Sequence, residues 1–417
     1  MDTRLRVLIA PDKFAGTASA LEVAQALAAG WLRARPQDDV ELLPLSDGGP
    51  GFVAAIRRGL PAARVREVVV SDPLGRPTPA QVVIHDRTAF VESAQAAGLH
   101  LLAESERDPL RGSTAGVGAL LLAAARSVPP DGRMVVGLGG SATVDGGLGL
   151  MRHLGLVALD RNSQPVPDGA SGVCDVYSVT GTPALPAGPE ILVASDVTSP
   201  LVGPQGAAAV YGPQKGLDRR WIAPVDAGLG RWARVLEAVL ATAPADLALT
   251  PGSGAAGGMG AALLALGGRV VSGFELVASA VGLEERMREA DLVVTGEGRF
   301  DRTSLRGKVV GGVLSRAAAV TGADERRGRP GLPVLVVAGQ ADLASDDLPA
   351  SLTGASDLAG QRTVVVRSLL ARVGGSVPEA MRRTCELLAE EAYEGAGSAG
   401  PAGPLRASTR GRGRPMG

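Results

Sequence analysis

The chain has 417 residues, of which 45% are hydrophobic, and its formal net charge at pH 7 is −1. This composition predicts a globular protein large enough for two domains, and it excludes a largely disordered chain and a protein built mainly to bind nucleic acid. No apolar run approaches the ~18–20 residues of a membrane span, and the charged first residues do not form a signal peptide, so we expect a cytoplasmic protein without a membrane partner.

The first 70 residues predict strands that alternate with helices. An apolar run at 4–10 predicts the first strand, and Ser19 with Glu22 three residues later forms the capping-box pattern of a helix that ends near Arg33. The next predicted elements are a strand at 39–45, a helix at 52–60 and a strand at 63–70.

The pattern is less regular between about Asp72 and Gly282, where short strands alternate with helices of uneven length. Regular alternation returns at Asp291. The remaining predicted elements are a strand with a glycine turn at 291–298, a helix from Val309 to Val320, strands at 332–339 and 362–367, and a helix from Pro378 to Tyr393 that begins with proline.

The order of elements predicts an α/β protein with two domains. Neither end of the chain has enough strands to form a covered parallel sheet alone, so we expect both ends to assemble together. The prediction is a Rossmann-like parallel-sheet domain of residues 1–72 and 283–394, split by an inserted α/β domain at 73–282. Residues 395–417 lack apolar periodicity and predict a disordered tail.

Cysteine and histidine give no indication of the chemistry. The two cysteines are too few for a disulfide framework, and neither they nor the three histidines have the spacing of metal ligands or of a nucleophile and its base. We expect Cys174, Cys385, His85, His100 and His153 to have structural roles or to face solvent.

Lysine is rare in this chain, because arginine supplies all but three of the 42 basic residues. Lys13, Lys215 and Lys308 each lie in a stretch of small residues that predicts a loop. Lysine presents a compact point charge, whereas arginine presents a planar fork, so a site shaped around one phosphate oxygen favours lysine. We interpret the three lysines as candidate phosphate-binding residues.

Several polar residues follow predicted strands. Asp12, Asp47 and Glu297 do so in the first predicted domain, and Ser141 and Asp196 do so in the second. Ligands of open α/β sheets bind at the carboxyl ends of strands and in clefts between domains. These residues therefore predict a ligand-binding cleft.

The glycine-rich stretch at 137–147, GLGGSATVDGG, has two interpretations. Its glycine spacing, followed by an apolar run that ends at Asp160, matches the fingerprint of an NAD-binding unit. Alternatively, its small residues expose consecutive backbone amides beside the Ser141 hydroxyl and the Asp145 carboxylate, which suits a phosphate group at the start of a helix.

The stretch at 295–304, TGEGRFDRTS, places Glu297 and Asp301 on either side of Arg299. Carboxylates in this arrangement can bind Mg²⁺ or accept a hydroxyl proton, and the guanidinium group can bind an anion. Phosphoryl transfer requires these groups together with backbone amides and lysines. Hydride transfer explains neither the lysines nor the clustered carboxylates.

Six stretches, in their order along the chain, resemble the glycerate kinase type 1 family. They are APDKF, SDGGPG, GLGGSATVDGG, SDVTSPLVGPQGAAAVYGPQKG, GSGAAGGMGAALL and TGEGRFDRTSLRGKV. The resemblance is strong over residues 5–315 and weaker up to residue 393. It implies a two-domain α/β kinase that phosphorylates D-glycerate or a related sugar acid with ATP and Mg²⁺, most often at the 2-hydroxyl group, and it favours the anion-binding interpretation of the glycine-rich stretch.

The residues and the resemblance lead to one hypothesis for catalysis. Either Asp196 or Glu297 accepts the proton of the glycerate hydroxyl group. Lys215 and Lys308 neutralise phosphate charge. Arg299 binds the substrate carboxylate or the transferring phosphoryl group.

The same hypothesis assigns the binding residues. Asp145 and Asp301 bind Mg²⁺ or support its ligands. The candidate residues for binding glycerate and phosphate are Asp12, Lys13, Asp47, Gly48, Gly49, Glu92, Gly139, Gly140, Ser141, Gly257 and Gly258.

Two alternative functions stay open at this point. The first is an NAD-dependent reductase of a small hydroxy or keto acid, which rests on the glycine spacing that ends at Asp160. The second is a catalytically silent protein that binds a sugar acid. It rests on Ala15 and Pro50, which stand where the family commonly has Lys and Glu; Val144 is a further departure, at a position where the family commonly has Asn. A homodimer is compatible with either function.

Overall fold

The computed structural model describes residues 4–320, 332–353 and 364–399. Its strands, in chain order, are β1 (Arg6–Ile9), β2 (Asp39–Leu42), β3 (Arg64–Ser71), β4 (Pro77–His85), β5 (Thr88–Glu92), β6 (Arg133–Gly137), β7 (Val157–Leu159), β8 (Ser178–Thr180), β9 (Glu190–Ala194), β10 (Arg269–Val271), β11 (Leu292–Phe300), β12 (Val334–Ala341) and β13 (Val364–Ser368).

Its α-helices, in chain order, are α1 (Ala20–Ala34), α2 (Phe52–Gly59), α3 (Ala94–Ala97), α4 (Ala115–Ala125), α5 (Leu148–His153), α6 (Gly169–Asp175), α7 (Arg219–Val239), α8 (Ala255–Ala265), α9 (Gly273–Ala280), α10 (Leu283–Glu289), α11 (Val309–Ala319), α12 (Ala350–Thr353), α13 (Leu369–Arg372), α14 (Val377–Arg382) and α15 (Thr384–Ser398).

The chain forms two compact units. Unit 1 combines Met1–Ser46 with Ala278–Gly417, and unit 2 is Asp47–Val277. The predicted α/β class is confirmed, and one unit is inserted into the other along the chain.

The boundaries between the units differ from the predicted ones, which were placed at residues 72 and 282. Strand β3, expected in the first domain, pairs with β4 along its whole length, from Arg64 opposite Ile84 to Ser71 opposite Pro77. The turn that joins them is held by the Asp72 carboxylate, which accepts hydrogen bonds from the backbone amides of Leu74 and Arg76. This antiparallel pairing, which periodicity does not show, puts β3 in unit 2.

Unit 1 contains a parallel sheet of five strands in the order β13-β12-β11-β1-β2. Helices α1 and α15 pack so closely that a Cβ atom at Gly30 would overlap the carbonyl oxygen of Ala389. The side chains of Trp31 and Leu388 are fully buried in this core. The predicted capping box of α1 is present, with the Ser19 side chain and the Glu22 side chain each bonded to the other residue's backbone amide.

Strand β11 continues through the predicted glycine turn. It pairs with β12 as far as Phe300 opposite Ala341, so Gly296 and Gly298 lie inside the strand. A Cβ atom at Gly296 would overlap the carbonyl oxygen of Val337. The glycines therefore allow close approach of the neighbouring strand, and the predicted turn is wrong.

Unit 2 contains a mixed sheet of six strands in the order β10-β9-β6-β5-β4-β3. Strands β3, β4 and β5 pair antiparallel, whereas β5, β6, β9 and β10 run parallel. The carboxyl ends of β5, β6 and β9 therefore meet at one edge, where the candidate site residues of this unit begin. Strands β7 and β8 form a separate antiparallel pair.

The C-terminal part also differs from the prediction. The helix expected from Pro378 to Tyr393 is two helices, α14 and α15, which meet at Arg383. Helix α15 continues to Ser398, and Ala396 and Ala399 are buried, so the first residues of the predicted tail are ordered. The rest of that predicted tail lies outside the described residues.

Within the described ranges, no helix is both long enough and apolar enough to cross a membrane.

Candidate active site

The candidate residues of unit 1 gather at the carboxyl ends of β1 and β11. The backbone amide of Asp12 donates to the carbonyl oxygen of Gly296 at 2.8 Å, which holds the loop after β1 against β11. The Asp12 carboxylate is buried and lies 3.6 Å from the ammonium nitrogen of Lys13. Asp12, Lys13 and Glu297 are thus neighbours, although Glu297 lies inside β11 and not after a strand as predicted.

Glu297 is a buried carboxyl group whose Oε1 atom has no hydrogen-bond partner in the part of the chain that the structure describes. Burial is the main cause that raises the pKa of Glu297 to about 7, with the Ser304 hydroxyl opposing it and the Asp12 carboxylate acting in the same direction as burial. An unsatisfied buried oxygen with a perturbed pKa is a common property of functional sites. Glu297 therefore stays a candidate catalytic residue.

Asp301 organises the segment after β11. Its Oδ1 atom accepts hydrogen bonds from the amide and the hydroxyl of Thr303, at 2.7 and 2.6 Å. The Lys308 ammonium group donates to the same hydroxyl at 3.2 Å. The Thr303 hydroxyl links Asp301 with Lys308, a role that the sequence analysis missed although its DRTS motif contains the hydroxyls.

Arg299 does not have the surroundings expected for an anion-binding residue. Its Nε and one terminal nitrogen contact the same oxygen of Asp342 at 2.9 and 2.8 Å. Asp301 is a second carboxylate nearby, at 3.7 Å. Because both carboxylates neutralise the guanidinium group, the contacts favour a structural ion pair over the predicted substrate-binding role.

In unit 2, Asp196 follows β9 and lies beside Asp47. Its Oδ1 atom accepts a hydrogen bond from the backbone amide of Gly273 at 3.1 Å, whereas its buried Oδ2 atom has no partner within the described residues. Burial is the main cause that raises the pKa of Asp196, and the negative charge of Asp47 acts in the same direction. Both properties suit a carboxylate that accepts a proton.

The loop after Asp47 packs directly on the ends of these strands. The Asp47 carboxylate accepts a hydrogen bond from the Gly49 amide at 3.1 Å. A Cβ atom at Gly48 would overlap the carbonyl oxygen of Ala194, the last residue of β9. Glycine is therefore required here for close backbone contact.

Glu92 ends β5 and caps the start of α2. Its two oxygens accept hydrogen bonds from the backbone amides of Gly51 and Val53, at 3.1 and 3.2 Å. A carboxylate at this position stabilises the N-terminus of a helix. These bonds favour a role for Glu92 in positioning the 48–51 loop.

The glycine-rich loop after β6 lies against the 48–51 loop. A Cβ atom at Gly139 would be 2.6 Å from the Cα atom of Gly49, and one at Gly140 would overlap the ring of Pro50. Gly140 also has a positive φ of 62°. Pro50, one of the departures from the family pattern, is thus accommodated by a glycine opposite it.

Lys215 is the most deeply buried of the candidate cations. Its ammonium group donates to the hydroxyl oxygen of Ser141 and to the carbonyl oxygen of Thr143, both at 2.7 Å. Burial lowers the pKa of Lys215 to about 7, and the charge of Asp145 opposes this effect. A buried amine with this pKa can change its charge near neutral pH when an anionic ligand binds.

Gly257 makes room for this lysine, whereas Gly258 packs against Leu201 and Gly146. Ala256, Gly257 and Gly258 have positive φ values of 52°, 72° and 89° in succession. A Cβ atom at Gly257 would lie 3.0 Å from the Lys215 ammonium nitrogen and would overlap the carbonyl oxygen of Thr143. The sharp backbone turn within the first residues of α8 therefore forms one wall of the lysine site.

Asp145 is fully buried among hydrogen-bond donors. It accepts bonds from the amide and hydroxyl of Thr114, at 3.0 and 2.7 Å, and from the amides of Gly147 and Gly149, each at 3.1 Å. Burial raises the pKa of Asp145, and these bonds act against the rise. Since both oxygens are occupied, the contacts do not favour the predicted metal-binding role.

The 137–160 segment does not form the strand arrangement of an NAD-binding unit. In a dinucleotide-binding unit, the second strand returns to the same parallel sheet as the first. Here β6 pairs with β5 and β9, whereas β7 pairs only with β8 among the described strands. The Asp160 carboxylate accepts bonds from the amides of Asn162 and Gln164, both at 2.8 Å, and so closes a local turn.

The described residues contain no group of three or more His, Cys, Asp or Glu side chains arranged to hold a metal ion. Mg²⁺ that arrives on a nucleotide needs only one or two carboxylates, because phosphate oxygens and waters complete its coordination. The unpartnered Glu297 oxygen beside Asp12 fits this requirement. Asp301 fits less well, since one of its oxygens is bonded to Thr303.

Comparison with known proteins finds glycerate kinases, both by family model and by sequence identity. The model of the glycerate kinase family matches residues 7–389. Glycerate 2-kinase of Escherichia coli K12 is 39% identical over 318 residues, which cover 75% of this chain and 82% of that protein. Glycerate kinase of Halalkalibacterium halodurans is 37% identical over 338 residues, which cover 80% of this chain and 85% of that protein.

A solved structure is similar as well. The crystal structure reported as "putative glycerate kinase 2" from Salmonella typhimurium LT2 has a TM-score of 0.70 and 33% sequence identity. The similarity covers 94% of this chain and 98% of that one.

Proposed function

The chain belongs to the glycerate kinase family, and we propose that it transfers the γ-phosphoryl group of ATP to the 2-hydroxyl group of D-glycerate. The observation that carries the proposal is the buried contact between Lys215 and Ser141 in the glycine-rich loop of unit 2. A desolvated ammonium group beside small residues suits a phosphoryl oxygen, since phosphoryl transfer depends on positioning and charge neutralisation. The position of the hydroxyl group follows the relative named glycerate 2-kinase.

Asp196 is the proposed base. Its Oδ2 atom accepts the proton of the 2-hydroxyl group as the glycerate oxygen forms a bond to the γ-phosphorus. The bond from the γ-phosphorus to the β,γ-bridging oxygen breaks, and its electron pair leaves with ADP. The unpartnered oxygen and the raised pKa of Asp196 support this role, because they give the carboxylate a site and an affinity for the proton.

Lys215 neutralises charge on the transferring group. Lys215 is held by Ser141 and Thr143, so it contributes from a fixed position. The sequence predicts the same role for Lys308, whose ammonium group donates to the Thr303 hydroxyl in unit 1. Fixed cations stabilise the transition state without reorganising during the reaction.

Mg²⁺ bound to the nucleotide would contact Glu297, with Asp12 as the neighbouring carboxylate. Its chemical contribution is to withdraw negative charge from the β- and γ-phosphate oxygens. Glu297 is proposed for this role because its Oε1 atom is buried without a hydrogen-bond partner among the described residues. It is also the second candidate for the base, and the two roles are separable by experiment.

The test is the reaction of ATP, Mg²⁺ and D-glycerate, with ADP release measured and the product identified by NMR. We expect 2-phosphoglycerate, and Lys215→Met should lower turnover by ~10² or more. ADP release no faster than in the absence of glycerate would contradict the proposal. The formation of 3-phosphoglycerate would retain the kinase and change the acceptor oxygen. The homodimer and the cytoplasmic location stay predictions of the sequence.

A further inference from the structure

Trp232 is a fully buried residue of α7 that has no role in the chemistry described above. Its indole nitrogen donates a hydrogen bond to the carbonyl oxygen of Gly146 at 2.9 Å. The ring packs on this glycine so closely that a Cβ atom at Gly146 would lie 2.8 Å from the indole Cδ1 atom. The two residues are 86 positions apart, so this contact holds α7 against the glycine-rich loop that contains Ser141.

Gly146 connects Trp232 with the wall of the lysine site. Its backbone amide donates a hydrogen bond to the carbonyl oxygen of Gly257 at 3.1 Å. A Cβ atom at Gly257 would lie 3.0 Å from the ammonium nitrogen of Lys215. A continuous series of contacts therefore leads from the indole ring through two glycines to the buried ammonium group.

The two glycines need a restraint from outside their own backbone. Gly146 has a φ of +60°, and Gly257 has a φ of +72°. Glycine adopts many backbone conformations at little cost, so it does not by itself fix the directions of its carbonyl and amide groups. The indole of Trp232 is a rigid ring packed in the hydrophobic core of unit 2. Its hydrogen bond fixes the Gly146 carbonyl group, and with it the adjoining amide that bonds to Gly257.

We propose that Trp232 is a positioning residue for Lys215, and that its hydrogen bond to Gly146 keeps the wall of the lysine site closed to water. The inference rests on the proposed kinase function and adds the residue that holds its buried cation in place. Thr143 supports it, because its carbonyl oxygen accepts a bond from Lys215 while its buried hydroxyl has no partner among the described residues. A loosened wall would therefore give entering water a group to bond to.

The wall contributes desolvation to the charge state of Lys215. Burial is the main cause that lowers the pKa of Lys215 to about 7, and Asp145 is the charged group that opposes the effect. The turn at 255–258 has no charged residue. Arg107 packs on Gly216, the next residue, through its backbone and its Cβ atom. A wall that admits water removes part of the desolvation, so the pKa should rise toward its ordinary value of 10.5.

The small number of lysines allows this pKa to be measured directly. The chain has three lysines, so protein with isotopically labelled lysine gives three side-chain signals in an NMR spectrum. The variants Lys13→Arg and Lys308→Arg each remove one signal and thereby assign the signal of Lys215. Its position as a function of pH gives the pKa of Lys215 in the folded, full-length protein.

Two tryptophan variants separate positioning from stability. Trp232→Phe keeps an aromatic ring in the core and removes the N–H group. Trp31→Phe is the matched control, because Trp31 is also fully buried and its indole nitrogen also donates at 2.9 Å, to Asp38 in unit 1. If Trp232→Phe does not fold, an analogue with sulfur in place of the indole nitrogen is incorporated at position 232, since it keeps the shape of the ring and removes only the N–H group.

We expect the pKa of Lys215 to rise by ~0.5 or more in Trp232→Phe or in the sulfur analogue, and to keep its wild-type value in Trp31→Phe. An equal pKa in all these proteins would overturn the proposal. A similar rise in both Trp232→Phe and Trp31→Phe would also overturn it, because lost stability alone would then explain the change.

The pH dependence of activity gives a second readout. Loss of the Lys215 charge lowers kcat/KM for ATP, and this decline should begin at a higher pH in Trp232→Phe than in the wild type or in Trp31→Phe. Lower activity with the decline at the wild-type pH would overturn the positioning role. The NMR titration requires no turnover. If the wild type failed to phosphorylate glycerate while the pKa of Lys215 still rose in Trp232→Phe alone, only the proposed function would be contradicted.

Discussion

The ammonium group of Lys215 lies 2.7 Å from the hydroxyl oxygen of Ser141, and both side chains are buried. The two residues are 74 positions apart in the chain, so only the folded protein creates this contact. Burial lowers the pKa of Lys215 to about 7 and thereby couples the charge of the site to pH.

This coupling predicts a pH dependence. Above about pH 7 the free enzyme loses the positive charge of Lys215, so kcat/KM for ATP should fall about tenfold per pH unit. Arginine stays charged throughout this range, so Lys215→Arg should remove that decline. A decline that persists unchanged in Lys215→Arg would show that another group titrates. If the arginine variant does not fold, Lys215→Met should lack the same decline at its lower activity.

The same shift predicts how stability depends on pH. Lys215 has a pKa of about 7 in the folded protein and an ordinary value of 10.5. Between these values the unfolded chain binds more protons, so the contribution of this residue to the free energy of unfolding rises as the pH increases. The measurement is denaturant unfolding of wild type and Lys215→Met over this range. The free energy of unfolding of the wild type minus that of Lys215→Met should increase toward high pH, and a constant difference would contradict the shift.

The roles of the two candidate bases can be separated by amide variants. Asp196→Asn removes the proton acceptor and should lower kcat by ~10² or more at every Mg²⁺ concentration. Glu297→Gln should instead raise the Mg²⁺ concentration needed for half-maximal activity, and excess Mg²⁺ should restore much of the rate. Initial rates over a series of Mg²⁺ concentrations distinguish the variants. The reversed pattern would make Glu297 the base.

Asp145 should prove to be a positioning residue. Asp145→Asn replaces an acceptor of four hydrogen bonds by an amide that presents two donors, and it should destabilise unit 2 by about 2–4 kcal/mol. Thr114→Val removes one of these bonds and should show a smaller loss. The Mg²⁺ requirement of any folded Asp145→Asn protein should equal that of the wild type. A raised requirement would support the metal-binding role that the sequence predicted.

Gly257 offers a test of the wall beside Lys215. Gly257→Ala places a methyl group against Thr143 and the lysine at a φ of +72°. Gly203→Ala is the matched control, because Gly203 has a φ of +90° and open space around its Cβ position. The control should cost about 1–2 kcal/mol from backbone strain alone, and Gly257→Ala should cost more and also raise KM for ATP. Equal effects of the two substitutions would mean that the close contacts are unimportant.

Much of unit 1 could be predicted because its signals are local. The capping box of Ser19 and Glu22 lies within four residues and marks the start of α1 correctly. The apolar runs around β1, β2 and β12 are bounded by polar or turn residues, and each forms a strand. Candidate residues after strands, such as Asp12 and Asp196, do lie at the carboxyl ends of their sheets.

The glycine turn predicted in β11 is wrong, and the contacts of Arg299 and Asp145 do not favour their predicted roles, because distant residues decide all three features. The glycines of β11 resemble a turn in the sequence, but pairing with β12 keeps them extended. Arg299 resembles an anion-binding residue, but Asp342, 43 positions away, occupies it. Asp145 resembles a metal ligand, but Thr114 and the amides at the start of α5 satisfy it.

The sequence by itself determined the α/β class, most strands and helices, and the candidate residues for the chemistry, because periodicity, capping and residue type are local properties. The tertiary structure alone decided that β3 belongs to unit 2, which carboxylate oxygens have no partner, and that Lys215 is buried among Ser141, Thr143 and Gly257. These properties depend on desolvation and on contacts between residues far apart in the chain, and such contacts exist only once the chain has folded.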